Sequence, residues 1–78
     1  MEVEKLIRMA NQIGDFFEAV PDAEEAKMEI AGHLKKFWNS VMITAIVAHV
    51  QQQQGAGLHP KVMAAIQQHL TPAVQGAR

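Results

Sequence analysis

The chain has 78 residues, 49% of them hydrophobic and 19% charged, with a net charge of −1. A chain of this size makes one small domain whose core is marginal on its own, and the absence of cysteine excludes disulfides, thiolate zinc sites and cysteine-held iron–sulfur clusters as staples. The charge balance supplies no basic field for phosphate backbones, so nucleic acid is not an expected partner, and oligomerisation or docking on another chain is left to cover the apolar excess.

Met1-Glu2-Val3-Glu4-Lys5 lacks the basic, apolar and small-residue succession of a signal peptide. From Val3 to Val20 the apolar residues Val3, Leu6, Ile7, Ala10, Ile13, Phe17 and Val20 recur at the three-and-four spacing of one helix face. Met9 and Phe16 widen that face beyond the ~100° stripe of an ordinary surface helix, so this helix is expected to touch two surfaces. Gly14 lies inside the stripe, where its missing side chain costs about 1 kcal/mol of helix propensity but admits a close neighbour. Glu4, Arg8, Asn11, Asp15 and Glu18 form the polar face.

Pro21 stops the first helix, and Asp22 with Glu25 has the spacing of a capping box. The second helix is predicted from Ala23 to about Trp38, burying Ala26, Ile30, Leu34 and Phe37 with Trp38 at the margin. Lys35 and Lys36 fall in its last turn, where positive charge suits the helix dipole. Asn39-Ser40 supplies a break and a new cap. Val41 to Val50 is continuously apolar apart from Thr44 and His49, a pattern that also suits a buried strand; with no other strand to pair with, it is predicted helical and buried on most sides. The run falls well short of the roughly 20 residues that span a bilayer, so a cytoplasmic, membrane-free protein is expected.

Gly55-Ala56-Gly57 stops the third helix, and Pro60 suits the first position of a fourth, Pro60 to Leu70, with the stripe Val62, Met63, Ile66 and Leu70. Thr71-Pro72 closes it and residues 73–78 read as a loose tail. The expected fold is all-α, a small bundle of about four short helices within one domain spanning residues 1–72.

No constellation carries chemistry. His33, His49, His59 and His69 form no three-or-four-spaced pair and have no thiolate beside them, so they read as helix-edge or capping residues. The carboxylates lie on solvated faces or near a helix start, without the cleft that drives two pKa values apart. Ser40, the only serine, belongs to a turn. No catalytic, cofactor-binding or metal residue is assigned, and no activity is expected of the isolated chain. Arg8, Asn11 and Gln12 are either a solvated face or a polar contact edge beside Met9 and Phe16, where amides satisfy buried groups without the desolvation of a charge. Trp38, with Phe37 and Met42 at the second bend, is either the centre of the small core or a plug for a partner.

Arg8-Met9-Ala10-Asn11-Gln12-Ile13-Gly14-Asp15-Phe16-Phe17 and His33-Leu34-Lys35-Lys36-Phe37-Trp38, joined by a Pro-Asp turn, resemble the delta subunit of cytosolic, molybdenum- or tungsten-dependent, NAD-linked formate dehydrogenases. The resemblance runs from about Leu6 to Pro60 and takes in Pro21, Glu25-Ala26, Ile30-Ala31, Met42, His49 and Gly55-Ala56-Gly57-Leu58; Asn39-Ser40-Val41 departs from the family's Asp-Pro and basic residue. It implies a non-catalytic accessory chain that docks on the large catalytic subunit, within a complex that also holds diaphorase subunits. That complex carries the metal pterin, iron–sulfur clusters and FMN, oxidises formate to CO2 and reduces NAD. The resemblance turns Arg8, Met9, Asn11, Gln12, Phe16, His33, Trp38 and Met42 into a candidate partner interface. A transient maturation factor for cofactor insertion and a self-associating homodimer are the alternatives, and a ligand-binding bundle would need a convergent polar pocket the sequence does not offer.

Overall fold

The computed structural model describes residues 2–70, and the predicted closing turn at Thr71-Pro72 and the tail lie outside them. Helix α1 runs Val3–Phe16 and tightens into a 3-10 turn over Phe17–Ala19. Val20, held extended at φ −70° and ψ 120°, obeys the restriction that Pro21 places on its neighbour. Helix α2, Ala23–Phe37, begins on Asp22, whose carboxylate accepts from the amides of Glu24 at 2.9 Å and Glu25 at 3.3 Å. Helix α3, Ser40–Gln53, begins on Asn39, whose side-chain oxygen accepts from Met42 N at 2.9 Å. Both caps satisfy amide donors that a helix start leaves without partners.

Gln54, Gly55 and Gly57 all take positive φ, which ends α3 and turns the chain back. Helix α4, Pro60–Ala65, starts with proline at its first turn and passes into a π-helical turn over Ile66–Leu70. No strand occurs among the described residues, so the expected all-α bundle is what the chain builds.

Helix α4 sits at the centre, packed on α2 and on α1, while α3 lies against α1 and the π-helical turn. Leu6, Ala10, Ile30, Leu34, Ile46, Val62, Ala65 and Ile66 fill the space between them. Gly14 explains how α4 approaches α1 so closely: a Cβ there would lie 2.5 Å from Cγ2 of Val62. Direct contact between α1 and α2 is slight, and on the side away from α4 the two helices part to leave a groove.

Two burial expectations are corrected. Phe37 is 66% exposed and Trp38 only 7% exposed, the reverse of the predicted order. The helical period that assigned them ends between the two: Trp38 is extended at φ −97° and ψ 142°, which turns its indole inward, whereas Phe37 keeps the last helical position above the groove. The second concerns α3, which is fully buried only along Ile46, Val47 and Val50, with Val41 63% exposed. Because α3 lies at the outside of the bundle, Met42, Ile43 and Ala45 are only partly covered and Val41 is left in solvent.

Candidate docking surface

The groove between α1 and α2 is a trough of about 480 Å3. Met9, Gln12, Ile13 and Phe16 line it from α1, Phe17 from the 3-10 turn, His33 and Phe37 from α2, and Trp38 and Met42 from the bend into α3. A ladder of rings spans the two walls. Phe16 meets Phe17 edge-on at 4.9 Å and 88°, Phe17 meets His33 at 6.2 Å, and His33 meets Phe37 at 4.6 Å. The edge-on and tilted arrangements are those that ring quadrupoles favour. Phe16, at the far end of the ladder from Phe37, is 76% exposed. The lining contains no Asp, Glu, Lys or Arg, and its polar side-chain groups are the Gln12 amide, the His33 ring and the Trp38 indole N–H.

Six of the residues expected at an interface therefore converge here: Met9, Gln12, Phe16, His33, Trp38 and Met42. Trp38 serves as the floor, part of the core and of the groove together. Ile13, Phe17 and Phe37 also line the groove without having been assigned to it, because a three-and-four stripe marks such residues as core and cannot separate covered from uncovered parts of the stripe.

Arg8 and Asn11 lie elsewhere. Arg8 borders a shallow depression on the other flank of α1, of about 550 Å3, with Val3, Ile7, Ala56 and Gly57. Asn11 is engaged within the chain: Nδ2 donates to Gly57 O at 2.9 Å, and Oδ1 accepts from His59 N at 2.8 Å. The loop it clamps is also held by His49, whose Nε2 lies 2.8 Å from Ala56 O. His59 caps α4, its Nδ1 accepting from Lys61 N at 3.1 Å, while Nε2 faces Glu18 Oε1 at 2.9 Å. With Nδ1 occupied as an acceptor, the ring proton belongs on Nε2 and the Glu18 contact is a hydrogen bond from a neutral imidazole. No sequence spacing signals this network, which joins residues 46 and 48 positions apart.

A cysteine-held iron–sulfur cluster does not fit this chain. Cysteine is absent, and no group of three or more His, Cys, Asp or Glu side chains is brought together among the described residues. Nor is any helix of the described residues long and apolar enough to cross a membrane. The arrangement offers an uncharged, ring-lined trough with exposed rims, which suits it to receiving an apolar side of another molecule.

No match is found among curated proteins or solved structures. The profile of the family described as NADH-dependant formate dehydrogenase delta subunit FdsD matches residues 5–66. That span holds every residue lining the groove, together with α2, α3 and α4. The chain belongs to the FdsD family of formate dehydrogenase delta subunits.

Proposed function

We propose that this chain is a non-catalytic accessory subunit that docks through the α1–α2 groove on the large subunit of an NAD-dependent formate dehydrogenase. The observation that carries the proposal is the pair of phenylalanines on the groove's rims, Phe16 at 76% and Phe37 at 66% exposure, above an uncharged lining. Covering a large apolar side chain is worth about 1.5–3 kcal/mol, and aromatic residues around a central pocket are where binding energy concentrates. In this reading the metal pterin, iron–sulfur clusters and flavin belong to the other subunits, where formate is oxidised to CO2 and the electrons pass to NAD. The delta chain contributes apolar surface. By binding the cofactor-holding conformation of the large subunit more tightly than its other conformations, it raises the population of that state. A cytoplasmic location fits this role.

The test is co-purification of a tagged copy from the native host, with formate-dependent NAD reduction and subunit stoichiometry measured on the same fraction. An active complex containing the chain in fixed ratio is expected. Recovery only with inactive, cofactor-poor large subunit would make it a maturation factor instead, and recovery solely as a self-associated species would overturn the docking role.

A further inference from the structure

Charge is sorted along this chain. Every Asp and Glu lies between Glu2 and Glu29, and none follows in the remaining sequence. Two of these carboxylates are spent on ion pairs within the chain: Glu24 holds Lys27, and Glu18 pairs with Lys61 while accepting from His59. Lys35 and Lys36, in the last turn of α2, have no such partner among the described residues. Lys36 Nζ lies 5.9 Å from the centroid of the Phe37 ring, so its charge stands directly at the groove's rim. Glu29 stands seven residues before Lys36, about 10.5 Å back along the same face of the helix, and Asp15 follows the opposite wall without lining the groove. Lys36 thus places a positive charge at the Phe37 end of the groove above an apolar floor, whereas Lys35, two residues before Phe37, projects from the other side of the helix.

We infer that the groove receives an amphipathic α-helix of the large subunit, with an acidic residue on its flank set over Lys36. The inference rests on the docking reading above and adds what the partner presents. The groove walls are helices whose backbone groups bond within themselves, so they offer no sheet edge to an extended peptide; a helix, satisfied internally, can bring side chains at three-and-four spacing into such a trough. The cation decides the polar flank, because a carboxylate there complements Lys36, whereas a basic segment opposes it. A second copy of this chain is disfavoured for the same reason, since an isologous contact centred on Phe37 brings Lys36 toward its own copy.

Photo-crosslinking from benzoylphenylalanine in place of Phe37, in the assembled enzyme, identifies the segment by mass spectrometry. The expected product joins position 37 to a large-subunit helix with apolar residues at three-and-four spacing and Asp or Glu beside them. Crosslinking to an extended or basic segment, or to a second copy, would overturn the inference. In parallel, the Lys36→Glu variant should bind the large subunit at least about fivefold more weakly at low salt, with the deficit shrinking at high salt. The Lys36→Arg variant should retain affinity, and circular dichroism checks that helicity is unchanged. If Phe37→Ala weakens binding and the charge reversal does not, the acidic flank is wrong while docking through the groove stands. If neither variant alters affinity, both readings fall.

Discussion

Replacing Gly14 by alanine sets two opposing effects against each other, and the geometry decides between them. In an exposed helix interior Gly→Ala is worth about 1 kcal/mol in favour of the fold. Here the added Cβ would stand 2.5 Å from Val62 Cγ2, with His59 Cγ at 3.4 Å behind it, against the roughly 3.5–4.0 Å at which carbon atoms pack. Val62 is fully buried and β-branched, so it has few rotamers in which to escape, and α1 and α4 must separate. Overpacking of this kind costs about 1–3 kcal/mol, and the close contact with a stiff neighbour places the net effect of Gly14→Ala at about 1–2 kcal/mol of destabilisation. Val62→Ala alone removes two methyl groups and costs about 2–3 kcal/mol including the cavity. In the Val62→Ala background the obstruction is gone, and Gly14→Ala should stabilise by about 1 kcal/mol, giving a coupling of about 2–3 kcal/mol. Urea unfolding followed by helical circular dichroism and by Trp38 fluorescence measures all four proteins, with the slope expected to stay constant. A single Gly14→Ala variant that is more stable than the parent would refute the reasoning, because helix propensity alone would then govern the site.

Asn11→Ala leaves the amide of His59 without its acceptor and should destabilise by about 1–3 kcal/mol, with hydrogen exchange at that amide accelerating more than at the helix interiors; unchanged exchange would show that the clamp contributes nothing. Phe16→Ala and Phe37→Ala remove exposed side chains and should alter the chain's own stability by less than about 0.5 kcal/mol, while weakening binding to the large subunit at least about tenfold each, as expected for aromatic anchors; titration calorimetry separates the two quantities. Asp22→Ala removes the acceptor for the amides of Glu24 and Glu25 and should lower stability by about 1 kcal/mol, a loss that Asp22→Ser largely restores.

The helix boundaries were legible where a side chain acts on its own neighbours. Asp22 and Asn39 cap the amides two or three residues ahead of them, and Pro21 and Pro60 act on adjacent residues, so the periodic stripes between these signals located α1 to α4. Phe37 and Trp38 were assigned the wrong way round because periodicity extrapolates helical geometry through a residue that has already left the helix. The uncovered flank of α3 depends on which neighbours pack against it, which its own composition does not encode. At the candidate interface, the wide arc of α1 signalled a second surface, and most of the residues expected there do converge. Asn11 escaped because its partners, Gly57 and His59, lie on a loop whose return to α1 is a property of the whole fold.

The groove divides its residues by how far the chain itself depends on them. Trp38 and the apolar residues packed beneath it belong to the continuous core, so a change at the floor disturbs folding and the binding surface together. Phe16 and Phe37 are largely outside that core, and the isolated chain gains little from holding large aromatic groups in water. Their value increases only when a partner removes them from solvent. A domain this small has no spare core volume in which to hide such side chains, and a partner bound to the folded form alone would in turn stabilise the fold by mass action. The same few residues can therefore couple the folding of the delta chain to the assembled state of the enzyme, with Trp38 as the point where the core and the groove meet.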